Sequence, residues 1–105
     1  MLTKVLVVYV TASSRKEADK IARILVDEKL AACVTIVPQV VSRYRWQRRI
    51  ETSKEILLLI KTTSRRYPAL EKRVRALHSY EVPEILAVPV AEGNPAYLTW
   101  LKKSI

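Results

Sequence analysis

Glycine is nearly absent from this chain of 105 residues, with Gly93 alone. Phosphate cradles and dinucleotide fingerprints need several glycines in one short loop, so P-loop and Rossmann readings are excluded. Cysteine is single as well. Cys33 has no partner for an internal disulfide, which suits a reducing compartment and makes the cytoplasm the expected location. Histidine occurs once, His78, asparagine once, Asn94, and phenylalanine not at all. One His and one Cys cannot close a tetrahedral metal site within one chain. No grouping of Ser, Cys and His supports a triad, and an acylphosphatase-like loop holding phosphate with Arg and Asn cannot be built around Asn94. No enzymatic activity is expected. No apolar run reaches the ~18 residues of a membrane span. The N-terminus, with Lys4, Val5 to Val10 and then Ala12-Ser13, faintly imitates a secretory signal. Its apolar stretch is shorter than the roughly 7–15 residues of a signal core, and its alternating β-branched content suits a first strand.

What is present is half apolar, with a formal charge of +9. That charge fits anionic partners and fits a solvated basic surface equally well. The length fits one domain, residues 1–105, able to bury only about two-thirds of its unfolded surface, so oligomerisation is a natural source of further stability.

Leu6 to Val10 read as a strand. Ser14 with Glu17 three residues later is a capping box, and Ala18, Ile21, Ala22 and Leu25 give the following helix one buried face. The chain is extended from Ala31 to about Trp46 and again from Arg48 to Thr63, around the core run Ile56 to Ile60. Ser64 is expected to cap a second helix striped by Tyr67, Leu70, Val74 and Leu77, with Pro68 in its first turn. Ile85 to Val90 form the last strand, and Asn94-Pro95 opens a short closing helix. The order βαββαβ defines an α+β, ferredoxin-like sandwich, an antiparallel sheet with both main helices on one face.

The central hairpin is too long for such a domain. Sixteen residues from Ala31 to Trp46 would reach roughly 50 Å, against about 35 Å for a compact domain of this size. It must project or bend, exposing strand edges and Val37, Val40 and Val41. Pro38 marks a bulge or an edge. A closed homo-oligomer in which each hairpin pairs with a neighbour follows.

Leu30-Ala31-Ala32-Cys33-Val34, Ser42 with Tyr44 and Trp46, Leu58 to Thr62 including Lys61, Leu77 to Glu84, and Gly93-Asn94 with Tyr97 and Trp100 occur in the order that resembles the CutA divalent-cation tolerance family. The resemblance covers nearly the whole chain. It implies a ferredoxin-like homotrimer with hairpins in intersubunit sheets, a cytoplasmic bacterial setting, and a link to copper and other divalent metals, with ligands near Cys33 and His78 in clefts between protomers. Two departures stand out. Arg48 replaces a family glycine at the hairpin tip, so a different or longer turn is expected there. Ser79 replaces the proline after the histidine.

The segment His78-Ser79-Tyr80-Glu81-Val82-Pro83-Glu84 gathers the only imidazole, two carboxylates and a phenol where a helix gives way to a strand. His78 is the first candidate metal ligand, although helix capping alone explains an imidazolium there. Cys33 is the second, although a thiol in an apolar strand is commonly inert packing. Glu81 and Glu84 are oxygen donors, separated from His78 by the extended Val82-Pro83. No cofactor is obligatory, and copper suits an imidazole and thiol best. The runner-up is a trimeric sensor or scaffold whose intersubunit cleft holds a small anionic ligand between Tyr44, Trp46, Lys61 and Tyr80. Nucleic acid ranks below both. Strand alternation separates Tyr44 and Trp46 from Arg43 and Arg45, and the central strand offers Leu57-Leu58-Leu59-Ile60 where RNA-binding sheets expose aromatics.

Overall fold

The computed structural model describes residues 3–105. Its elements are β1 (Val5–Ala12), α1 (Arg15–Asp27), β2 (Cys33–Trp46), β3 (Arg49–Thr63), α2 (Tyr67–Leu77), β4 (Ile85–Pro89) and α3 (Pro95–Ser104). The four strands form one antiparallel sheet in the order β2-β3-β1-β4, the ferredoxin-like arrangement expected.

Strand alternation sorts the side chains into two faces. Val8, Val10 and Ala12 of β1, with Leu58 and Ile60 of β3, turn to one side and are fully buried under Ala18, Ile21 and Leu25 of α1 and Leu70 and Val74 of α2. Each buried aliphatic side chain contributes about 1.5–3 kcal/mol, so this layer is the main stabilising unit. The residues between them face the other way. Tyr9, Leu86 and Val88 remain exposed there, forming an open sheet face.

The start of α1 follows the sequence signal, with one refinement. Ser14 Oγ accepts the Glu17 N–H at 3.1 Å, and the Glu17 carboxylate returns to the Ser13 N–H rather than to the cap residue itself. The start of α2 corrects expectation. Its cap is Arg66, which makes no side-chain cap bond. Ser64 instead locks the preceding turn to β1, accepting the Lys4 N–H at 3.0 Å and donating its own N–H to the Lys4 carbonyl at 2.8 Å. The helix begins at Tyr67, so Ser64 stands two residues before the cap position and its hydroxyl serves β1 instead.

Among the described residues three left-handed backbone positions occur, and glycine fills none of them. Lys29 closes α1 at φ 58°, and Gln47 and Arg48 form the hairpin tip at φ 48° and 69°. Trp46 pairs with Arg49 across them, so the tip is a tight two-residue turn of type I′ and not the longer turn expected. Arg48 tolerates the conformation at a cost of about 1–2 kcal/mol. The hairpin projects as its length requires. The molecule measures 43 × 26 × 24 Å, and Val41 and Ile50 on the arm are 63% and 58% exposed.

Candidate functional site

A bulge decides which face the aromatic residues of the hairpin occupy. Val37 pairs with Leu57, but the next pair is Val40 with Glu55, so Pro38 and Gln39 together stand opposite Ile56 alone. One extra residue reverses the parity of β2. Val40, Ser42, Tyr44 and Trp46 thereby join Glu55 on the open face, and the Tyr44 hydroxyl lies 2.9 Å from Ser53 Oγ. Pro38 has no N–H to offer a ladder, which suits it to the interruption.

The opposite wall is the segment from His78 to Glu84, pinned at three points. His78 Nδ1 accepts the Tyr80 N–H at 3.0 Å, which leaves the proton on Nε2 to be donated to the Thr11 carbonyl at 2.7 Å. Both ring nitrogens are thus engaged. The imidazole serves the loop and not the free carbonyls of α2, which meets its cap through the His78 backbone N–H bonded to Val74. Glu17 accepts the Ser79 N–H at 2.7 Å. Burial pulls the Glu17 carboxyl upward, but hydrogen bonds from Ser79 and Ser13 prevail and hold it below the ordinary range. Tyr80 then donates its hydroxyl to Glu55 Oε2 at 2.7 Å. Burial first, then the bond to Glu55 and its negative charge, push the Tyr80 phenol far above its usual range. Tyr80 stays a neutral donor, and Glu55, 6% exposed, depends on it.

Between these walls lies a cleft of about 580 Å³. It brings together Tyr44, Trp46, Tyr80, Glu81 and Glu84 from the predicted residues and adds Thr11, Ser42, Arg43, Val82 and Glu55. Lys61 is a correction. It stands six residues along β3 from Glu55, roughly 20 Å away, where its ammonium bonds the Thr35 hydroxyl and lies 3.9 Å from Cys33 Sγ. Three carboxylates therefore line the cleft against one cation, Arg43, and within one chain Lys61 does not join the aromatic residues with which it was expected between protomers. Sequence reasoning passed over Glu55. Its signal was a lone acid opening the apolar run Ile56 to Ile60.

Cys33 and His78 do not meet within the chain. Cys33 pairs through Lys61 with Val7, whereas His78 touches Thr11, about 13 Å further along β1. Cys33 lies instead beside Tyr97 of α3, whose phenol is raised by burial and by the thiol. Among the described residues no three of His, Cys, Asp and Glu are close enough to share an ion.

An antiparallel ferredoxin-like sheet, an overlong hairpin and an acidic aromatic cleft beside it define a class of small α+β protein. The chain belongs to the CutA1 divalent ion tolerance protein family, whose model matches residues 6–104. It is 53% identical over 98 residues to the divalent-cation tolerance protein CutA of Thermus thermophilus, covering 93% of this chain and 95% of that one. The Thermus structure superposes with a TM-score of 0.93 over 95% of this chain and 97% of that one. CutA from Xylella fastidiosa gives 0.94 at 48% identity, over 97% and 98% of the two chains. The mouse protein CutA is 48% identical over 89% of this chain, which spans only 52% of the mouse protein, so the family extends beyond bacteria. No helix of the described residues is long and apolar enough to cross a membrane.

Proposed function

We propose that the protein works as a cytoplasmic homotrimer without catalytic activity that binds or responds to divalent metal ions, with copper the first to be tested. The observation that carries this reading is the sign of the cleft. In a chain of net charge +9, Glu55, Glu81 and Glu84 line one concavity, against the long-range field of the whole molecule. Local carboxylates attract a cation where the global charge repels one.

The division of labour follows from the geometry. Glu55 is committed to Tyr80, so Glu81 and Glu84, both exposed, are the side chains free to supply oxygen. His78 joins coordination only by giving up its bond to the Tyr80 N–H or to Thr11. Remaining donors come from water or from a neighbouring protomer, the latter also being the route by which a thiol such as Cys33 reaches a cleft. The trimer is supported by the arm itself, whose exposed Val41, Ile50, Tyr44 and Trp46 require a covering surface.

The test is calorimetric titration of metal-stripped, tag-free protein with cupric and then cuprous ion, with light scattering for mass. Saturable binding at one site per chain or per trimer is expected, weakened at least tenfold by Glu81→Gln with Glu84→Gln. A smaller loss is expected for Cys33→Ala. Weak, unsaturable uptake by an intact trimer would defeat the direct metal role, and a monomeric mass would defeat the assembly.

A further inference from the structure

We propose that the turn between β3 and α2, together with the last turn of α3, forms a binding site for a phosphate group. A second concavity, of about 160 Å³, is lined by Thr3, Thr63, Arg65, Arg66, Lys102 and Ile105. It contains three cationic side chains and no acidic one, and the terminal carboxylate of Ile105 leaves the positive charge in excess. Among the described residues Arg15, Arg73 and Arg75 each have a carboxylate within 4 Å, whereas Arg65, Arg66 and Lys102 have none. Cations held around one hollow repel each other unless something of opposite charge enters it.

The hollow is built and not merely a patch of surface charge. The paired bonds between Ser64 and Lys4 fix the turn to β1, and the Arg66 N–H donates to the Thr63 carbonyl at 3.1 Å. Thr63, 3% exposed, lines the hollow, and its hydroxyl also accepts the Arg66 N–H at 3.4 Å. At the far wall Lys102 and Lys103 outweigh the partial negative charge at the end of α3. Size selects the ligand. The volume lies below the ~300–1,000 Å³ of sites that enclose whole small molecules, so it takes one tetrahedral oxyanion while any organic remainder stays in solvent. Guanidinium forks from Arg65 and Arg66, an ammonium and two threonine hydroxyls match the oxygens of phosphate. Thr63 is eight residues from Glu55, roughly 26 Å along β3, so this site and the acidic cleft are separate.

The experiment is a ¹⁵N amide-shift titration of the full chain with inorganic phosphate against chloride at constant ionic strength. Saturable shifts are expected at Thr63, Arg65, Arg66 and Lys102. Arg65→Gln with Arg66→Gln is expected to weaken them at least tenfold while leaving the Glu55 and Tyr80 resonances in place, which confirms the fold. Glu81→Gln with Glu84→Gln is expected to leave phosphate binding unchanged, so the outcome is independent of the metal reading. Glycerol phosphate competing at the same residues identifies an esterified phosphate as occupant, and inorganic phosphate binding alone identifies the free anion. Linear shifts that chloride reproduces would overturn the site. So would a short oligonucleotide that displaces phosphate from these residues far more tightly than any small phosphate binds.

Discussion

The two ends of the stretch of β3 from Glu55 to Thr63 carry opposite chemistry on one strand. At one end Glu55 is a buried carboxylate whose hydrogen bond comes from Tyr80, 25 residues away, inside a cleft with two more carboxylates. At the other end Lys61 sits between Cys33 and Thr35, and Arg65 and Arg66 follow beyond Thr63. The separation of roughly 20 Å between Glu55 and Lys61 is twice the Debye length at physiological salt, about 8–10 Å. Each end therefore meets ligands on its own terms. A net charge of +9 describes neither end, and a site's sign has to be read from the side chains that the fold gathers.

The largest effect is expected from removing what creates the acidic end. Deleting Gln39 removes the bulge while keeping Val40 opposite Glu55, so Tyr44 and Trp46 stay on the open face but the arm loses the bend and extra twist that the bulge gives it. The cleft is re-aimed, and with it the surface by which the arm pairs. Light scattering should show the mass falling to one chain, with a red shift in tryptophan emission. Unchanged mass and emission would mean that the bulge does not set the direction of the arm.

Next comes the contrast in stability between the ends. Tyr80→Phe leaves the buried Glu55 carboxylate without its donor and should cost about 1.5–3 kcal/mol in urea unfolding. Lys61→Met at the other end should cost less than about 1 kcal/mol, since its partner hydroxyl on Thr35 is solvent-exposed. Equal costs would erase the distinction. Glu55→Gln supplies a second readout, returning the Tyr80 phenol toward the ordinary ~10 in an ultraviolet titration.

A smaller change sharpens the comparison at the tip of the arm. Arg48→Gly relieves a left-handed arginine but adds unfolded-state freedom, for a net gain of about 0.5–1 kcal/mol. A loss on substitution would show that the Arg48 side chain contributes more than its backbone strain costs.

The fold was legible because local rules and global pattern agree. The stripe Ala18, Ile21, Leu25 and the aliphatic run Ile56 to Ile60 read as buried faces, and they are. Pro38 marked the bulge in advance. The site was half legible. Alternation placed Ser42, Tyr44 and Trp46 together, but which face they took depended on counting the bulged residues, and nothing local revealed that Glu55 would receive Tyr80. The same holds for Ser64, a good cap by type that β1 recruits first, and for Arg48, which takes a conformation usually left to glycine. Lys61 misled because proximity was inferred from composition, and strand geometry sets it roughly 20 Å from the cleft. Contacts over long separations lie outside any window of neighbouring residues.

Glu17 is the plainest case of such a contact and gives the smallest predicted effect. Its position in a capping box was evident, but its second oxygen also accepts the Ser79 N–H, 62 residues on, and so ties α1 to the loop that carries Tyr80, Glu81 and Glu84. Its folded pKa lies below its ordinary value of 4.5. The carboxylate therefore contributes stability that is fully present above pH 4.5 and is lost as pH falls through the folded value. In Glu17→Gln this contribution is missing throughout. The difference in urea midpoint between parent and variant should be constant above about pH 5 and shrink below pH 4.5. Exposure screens the group, so the change is modest, and the informative quantity is its pH range. Amide exchange at Ser79 should quicken over the same range in the parent chain and show no such step in the variant. A parent whose Ser79 amide is indifferent to pH would mean that the loop is held by His78 alone.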